Sequence, residues 1–548
     1  MKTKNFIGTF ALCIALLTAV GQNITKQVDA LIAKNYPTDG PGGAILIAKG
    51  GKAIYTKGFG KASLELNVNN TANHVFEIGS ITKQFTAVAI LMLEEEGKLT
   101  VNDPITMFLP DYPTHGETIT IHHLLTHTSG ITGYTDLQEW AQKWRLDMPL
   151  DSIIALFKDL PLEFKPGEKW SYSNSGYILL GAIIEKASGM SYEEFVETRI
   201  FKTLGMANSV YGSRSEIITN RAAGYMQADE KTFINAEFLS MTQPYAAGSI
   251  MSTVGDLLIW QNALRDNKII TQASKEKAWK NYPLNNGKPM NYGYGWMPNE
   301  IFGSPSVEHS GGIFGYTSNG LYMPNEDVYV IILTNCSCKN AAELSTEIAA
   351  LAIGKPLVNP ATLPLTDQQL QEYVAIYEFD DGTTRTITRD GNQLYSMRTG
   401  GAKYEIYPFK PDEFYLKDSF TRLRFVRNNM NEIGEVETAA RIDKQVAKRT
   451  NRVIVEKVAI ELPTPQLQRL EGVFELAPGF NITIDERASK LYLQATGQPE
   501  FELFALSPLR FFLTVVDAEI EFIEGADGKI ESLILFQNGQ EMPGKKIK

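Results

Sequence analysis

Phe76-Glu77-Ile78-Gly79-Ser80-Ile81-Thr82-Lys83-Gln84-Phe85 is the stretch on which the reading of this chain turns. A short extended segment gives way to a helix here. Phe85, Val88, Ala89 and Met92 recur at three- and four-residue steps, and Glu94-Glu95-Glu96-Gly97 closes the run with a polar tail and a glycine stop. With Ser80 in the first helical turn, Lys83 lies one turn on along the same face. A hydroxyl and an amine then meet near a helix N-terminus, where unpaired backbone N–H groups favour negative charge. That arrangement suits a serine nucleophile activated by lysine. Ser-x-x-Lys alone also describes an N-cap serine beside a solvated lysine, so the partners must come from elsewhere.

Working outward, the 548 residues exceed one ordinary domain and call for about two to four. With 52 Lys+Arg against 63 Asp+Glu the formal charge is −11, and no basic run stands out, which argues against nucleic acid as a partner. Residues 1–21 read as a signal peptide: Met1-Lys2-Thr3-Lys4, an apolar core from Phe6 to Val20, then Ala19 and Gly21 before Gln22. The expected protein is therefore exported, periplasmic or secreted, with a retained anchor as the alternative and no membrane span after signal removal. Phe10-Ala11-Leu12 before Cys13 makes a poor lipidation signal. Cys336 and Cys338 fall on a predicted strand, where they would face opposite ways and bridge only with strain.

The first domain, 22–355, reads as α+β. A helix over 24–33 precedes Ala44–Ala48 and Ala53–Thr56, two strands flanking Gly50-Gly51 in a hairpin signature. Ile119 to Gly130 is a short helical run carrying His122, His123 and His127. It has no His-Glu-x-x-His pattern and no cysteine cluster accompanies it, so these are read as packing and hydrogen-bonding histidines, with no metal and no cofactor expected. Helices over 178–187 and after Thr253 follow. Glu308–Gly312 and Val328–Leu333 then read as strands of one antiparallel sheet, and Ala341–Ala352 as a last helix. Strands at both ends of the domain share a sheet in such a layout. Pro356, Pro360 and Pro364 space a linker, 356–364.

Beyond it the chain repeats itself. Gln369-Leu370-Gln371 matches Gln466-Leu467-Gln468 (466 − 369 = 97), and the same shift carries Leu394-Tyr395 onto Leu491-Tyr492 and Phe425 onto Phe522 without a gap. Two related all-β domains follow, 365–455 and 463–548, whose short strands suggest small antiparallel barrels. They hold no candidate catalytic cluster. Packing, homo-oligomerisation or shaping of a cleft rim is their expected work.

Three pieces of the first domain combine: Ser80-x-x-Lys83, Tyr172-Ser173-Asn174 and His309-Ser310-Gly311. Together, and in this order, they resemble the serine β-lactamase and penicillin-binding protein superfamily, specifically the branch of class C β-lactamases, D-Ala-D-Ala carboxypeptidases, D-aminopeptidases and related esterases. Leu124–Gly130 and the Pro166-Gly167 to Gly176-Tyr177 block are also typical of it. The resemblance spans about residues 25–355, and two trailing β-barrels are similar to an arrangement in the D-aminopeptidases. It implies a β-lactamase/transpeptidase-like fold: an antiparallel sheet flanked by helices, with a helical subdomain.

The chemistry of the residues agrees. A serine hydroxyl needs a base, and lysine can serve only with a depressed pKa, through burial or a neighbouring cation, a part that His309 would play if charged. Tyr172 is suited to pass the proton to the leaving group and to activate the deacylating water. Its two-residue spacing from Asn174 sends both side chains to one side, where Asn174 meets Lys83 or a substrate amide. Ser80, Lys83, Tyr172 and His309 are thus the candidate catalytic residues, and Asn174, Ser310, Gly311 and Gly312 the candidate substrate-binding ones. The resemblance implies backbone N–H groups of Ser80 and Gly312 as the oxyanion donors. His309 stands where many β-lactamases have lysine, which lowers the expectation of an efficient β-lactamase. The expectation is an exported serine hydrolase acting through an acyl-enzyme on amides or short peptides with D-residues. Its alternatives are an esterase or weak β-lactamase, and a penicillin-binding sensor with little turnover.

Overall fold

The computed structural model describes residues 24–548 except 213, 214, 230, 231, 455, 456 and 478. The expected signal peptide lies outside the described residues. Apart from the short segment Ala228–Thr232, residues up to Pro356 form one compact unit and Leu357–Lys548 another.

In the first unit, helix α1 (24–35) leads into a six-stranded sheet. Its strands are β1 (Gly43–Lys49), β2 (Lys52–Phe59), β3 (Met297–Ile301), β4 (Ser304–Ile313), β5 (Tyr316–Met323) and β6 (Val328–Thr334), in the spatial order β3-β4-β5-β6-β1-β2. The opening and closing strands of the unit are neighbours: Gly43 pairs with Thr334 and Lys49 with Val328. Ala44–Ala48 and Val328–Thr334 are buried throughout, which is why both read as continuous apolar runs rather than alternating ones. Strand β2, at the sheet edge, buries only Tyr55 and Phe59. It carries Lys52 and Lys57 along the unpaired side of the sheet, a charge pattern that discourages pairing with another chain.

Five further helices position the site: α2 (Thr82–Glu95), α3 (Ile121–Leu125), α4 (Asn174–Ser188), α5 (Val254–Arg265) and α6 (Ala341–Ala352). Helices α5 and α6 pack on the sheet, and α2 packs against α4. The three- and four-residue spacing in α2 predicts one buried stripe; instead every residue from Thr82 to Leu93 is buried. Its polar side chains are accordingly bonded inside. Thr86 Oγ1 donates to Ala246 O at 2.6 Å, Trp260 Nε1–H donates to Gln84 Oε1 at 3.2 Å, and Ile250 N–H donates to Thr82 Oγ1 at 3.1 Å. The histidines of α3 are structural: Thr120 caps the helix reciprocally with His123, and His122 Nδ1 bonds the Tyr294 hydroxyl at 2.8 Å.

The two cysteines depart from expectation. Strand β6 stops at Thr334, so Cys336 and Cys338 sit in a turn, not on a strand, and their side chains are joined as a disulfide. Strand alternation does not apply to a turn, which lets neighbours one residue apart meet.

In the second unit two eight-stranded antiparallel sheets each close into a barrel. The 97-residue offset seen in the sequence (466 − 369 = 97) carries strand onto strand: Gln393–Arg398 onto Lys490–Ala495, Thr421–Arg427 onto Ala518–Glu524, Ile433–Ala440 onto Ile530–Gln537 and Asp443–Arg449 onto Gln540–Lys546. Each barrel has an aromatic centre. Phe425 lies against Tyr373, Tyr377 and Phe414 in the first, and Phe522 against Phe474 and Phe511 in the second. No helix among the described residues is long and apolar enough to cross a membrane.

Candidate active site

The strand Phe76–Glu77 pairs with Ile250–Ser252, and the chain then turns sharply at Gly79, whose φ of +52° suits glycine. Ser80 does not sit in the first turn of α2, as the spacing predicts, but in a 3₁₀ turn, Gly79–Ile81, just ahead of it. In a 3₁₀ turn residues three apart eclipse, so Ser80 and Lys83 line up more closely than α-helical geometry would bring them.

Lys83 is fully buried, and its ammonium position has three acceptors: Ser80 Oγ at 3.0 Å, Asn174 Oδ1 at 2.8 Å and Ala247 O at 2.9 Å. Burial pushes its pKa well below the ordinary lysine value. Two of the three partners, an amide oxygen and a backbone carbonyl, can only accept. A neutral amine would spend both N–H bonds on them and aim its lone pair at Ser80. Loss of one proton therefore reverses a single hydrogen bond, the one to the nucleophile. Asn174, the first residue of α4, is itself held by Nδ2–H donation to Thr135 Oγ1 at 3.2 Å.

Tyr172 completes the cluster. Its ring stands over Lys83, with Nζ 4.8 Å from the ring centroid, and its hydroxyl is electrostatically coupled to Ser80. Burial raises its pKa, so it stands as a neutral phenol able to donate a proton. The ring lies against His127, tilted by 35° with centroids 4.2 Å apart, and His127 Nδ1 accepts the Ser173 N–H at 3.1 Å, fixing the chain between Tyr172 and Asn174. The histidine is kept neutral by burial and by Lys83.

His309, on β4, corrects one expectation. It is not a cation beside Lys83. Burial first, then Lys83, pushes its pKa down to about 3. Its Nδ1–H donates to Ser310 O at 2.6 Å, leaving Nε2 to accept from the Tyr292 hydroxyl at 2.9 Å. The lysine pKa is therefore depressed by burial, not by a charged histidine. Ser310 contributes that carbonyl, and its side chain does not line the pocket beside Ser80. Gly311 lets β4 approach the nucleophile turn: a Cβ there would sit 2.0 Å from Ile78 O and 2.3 Å from Ser318 Oγ. Gly312 lies on the pocket wall with open space where a side chain would be. The Gly311→Ala variant should lose at least about 100-fold in kcat/KM, because the clash is with backbone and displaces β4 from Ser80. Steady-state kinetics beside a melting curve checks this, and near-wild-type turnover would refute it.

Behind the turn, Glu77 is buried and its carboxylate receives Arg221 Nη2 at 2.5 Å. Burial outweighs the arginine and raises the carboxyl pKa to about 7. The carbonyl of Ala222, the residue after Arg221, accepts from the Tyr316 hydroxyl at 2.7 Å, at the start of β5. Together these bonds tie the strand entering the Ser80 turn to the hairpin that follows Gly312. Arg221→Ala should destabilise this unit by about 2 kcal/mol, less than the ~3–5 kcal/mol of a fully buried pair because the arginine keeps solvent contact. Denaturant melts of the two proteins measure the difference.

Thr135, Ala247 and Tyr292 carry no motif that would have marked them, whereas His127 falls in the family-like stretch Leu124–Gly130 and acts as the packing and hydrogen-bonding histidine expected there. Thr135 reaches the site from a 3₁₀ turn, Tyr134–Asp136, and Tyr292 from a loop, and Ala247 serves through its carbonyl, which has no sequence signature. Residues 28–354 match the family model described as Beta-lactamase. The chain belongs to the β-lactamase family. Residues 456–546 match a domain of unknown function, DUF3471, which takes in the second barrel. A penicillin-binding protein of Bacillus subtilis strain 168 is 33% identical over 431 residues, 74% of this chain and 94% of that protein. The octameric penicillin-binding protein homologue from Pyrococcus abyssi superposes with a TM-score of 0.55 at 28% identity, covering 78% of this chain and 99% of its own. The D-amino acid amidase from Ochrobactrum anthropi shares the fold, with a TM-score of 0.53 at 23% identity over 61% of this chain and 98% of its own. This β-lactamase-family protein is a serine hydrolase, and its Ser80–Lys83–Tyr172 cluster lies within the matched residues.

Proposed function

We propose that this protein forms an acyl-enzyme on Ser80 and hydrolyses it, acting on amides or short peptides that contain D-residues. The observation that carries the reading is the three-acceptor cradle of Lys83, which turns a neutral amine toward the Ser80 hydroxyl. Lys83 takes the Ser80 proton as Oγ attacks the carbonyl. The tetrahedral oxygen is received by the N–H groups of Ser80 and Gly312. Tyr172, whose ring lies against Lys83, passes a proton to the departing amine, and the Lys83–Tyr172 pair then activates water for deacylation. His309 serves through Tyr292 and the neutral ring it presents, with no charge of its own. The D-residue preference draws support from kinship with proteins named for binding penicillin.

Export belongs to the same proposal and rests on the signal-like residues 1–21. So does assembly through the C-terminal barrels, to which the octameric homologue lends support. Light scattering of the full chain beside one ending at residue 356 reads the oligomer directly. For the chemistry, the purified protein is offered D-aminoacyl amides, D-Ala-D-Ala peptides, nitrocefin and p-nitrophenyl esters, with fluorescent penicillin and a fluorophosphonate as labels. Turnover of the D-amides above the L-amides is the expected result. Stable penicillin labelling with no turnover of any substrate would replace the hydrolase reading by a binding one.

A further inference from the structure

The pocket beside Ser80 has a wall made of Tyr134, Trp140, Leu239, Pro244, Ile313 and Phe314, and none of the residues lining the pocket carries a formal charge. The two aromatic residues with polar atoms have them drawn away. The Tyr134 hydroxyl donates to Gln243 O at 2.6 Å, and Trp140 Nε1–H donates to Gln243 Oε1 at 3.1 Å. Gln243, fully buried, is fixed in turn by Nε2–H donation to Leu146 O at 2.7 Å and Lys143 O at 3.3 Å. The nearby cations are spent as well: Lys143 pairs with Glu139, and Arg145 with Glu237. What remains toward the pocket is ring and aliphatic surface.

That surface is rigid. Tyr134 meets Trp140 edge-on at 5.8 Å, Trp140 meets Trp144 at 5.8 Å, and Trp144 meets Phe314 at 5.1 Å. Leu239 anchors the set in a separate apolar cluster with Met241 and Met251. The pocket measures about 120 Å3, enough for one phenyl or branched aliphatic group.

We propose that this pocket takes the side chain of the substrate's acyl residue and selects one that is bulky, apolar and uncharged, aromatic or branched aliphatic. The proposal rests on the acyl-enzyme reading above. A charged side chain would enter a site with no partner for it, and a methyl group would leave the ring surface in contact with water. The expected discrimination is 10- to 100-fold in favour of the bulky apolar group.

Boronic acids test this, because boron bonds Ser80 Oγ and presents its substituent as an acyl side chain. The full-length protein is incubated with benzyl-, isobutyl-, methyl- and carboxymethylboronic acid, and protection of Ser80 from a fluorophosphonate is titrated. Benzyl and isobutyl should protect at least tenfold more tightly than methyl or carboxymethyl. Trp140→Ala should bring benzyl and methyl within about threefold, whereas Trp140→Phe should keep most of the gap. Equal protection by all four acids, with Ser80 still labelled, overturns the pocket assignment and leaves the acyl-enzyme reading standing. Absence of Ser80 labelling in every arm removes the acyl-enzyme reading, and this proposal with it.

Discussion

The Ser80→Ala variant is expected to lose turnover by about 10⁴- to 10⁶-fold and all labelling by fluorophosphonate, while keeping its melting temperature. The size follows from the chemistry. Lys83 donates to Ser80 Oγ at 3.0 Å, and among the described residues no other hydroxyl is hydrogen-bonded to Lys83. The preserved fold follows from the packing. Ser80 lies at the pocket surface, and with its Oγ gone Lys83 keeps Asn174 Oδ1 and Ala247 O as acceptors. The measurement is intact-protein mass spectrometry after labelling, beside steady-state rates. A mass shift of one probe equivalent persisting in the alanine variant would place the nucleophile elsewhere.

The second large effect concerns Asn174→Asp, and it should appear as a displaced pH profile. The amide oxygen of Asn174 accepts from Lys83 at 2.8 Å without adding charge. A carboxylate at that distance favours the ammonium form and raises the lysine pKa by about 1–3 units. Lys83 works as a base, so activity is lost as pH falls through its pKa. Raising that pKa moves the acid limb of kcat/KM to higher pH by the same amount. At pH 7 the variant should be slower by about 10- to 1000-fold, and it should recover as pH rises. Asn174→Ala also loses rate but adds no anion, so its acid limb should not move up with that of the aspartate variant. An unchanged limb in Asn174→Asp would show that Lys83 is not the base.

Much of this site is written locally. Ser80 and Lys83 are three residues apart, Tyr172 and Asn174 two apart, and each pair converges because its own backbone forces it to. The strands β1 and β6 were legible because burial on both faces leaves unbroken apolar runs, and the barrels because the chain prints the same strand plan twice. The charge on His309 was not legible. It is set by burial and by Lys83, which stands on another element far away in the sequence. Alternation misplaces the two cysteines, because their segment has already left the sheet at Thr334. Ala247 could not have been found at all, since its contribution is a carbonyl that every residue possesses.

The paired barrels carry a cost during folding. In each, the first strand closes the ring by pairing with the last: Tyr377 with Arg449, and Phe474 with Lys546. Because the two strand plans coincide at a fixed offset, the opening strand of one ring meets a second acceptable closing partner further along the same chain. A nascent polypeptide is protected while only one set has been synthesised; a denatured one released all at once is not. Refolding from denaturant should therefore yield a strand-exchanged fraction that synthesis in order avoids, and a chain ending near residue 456 should refold without it.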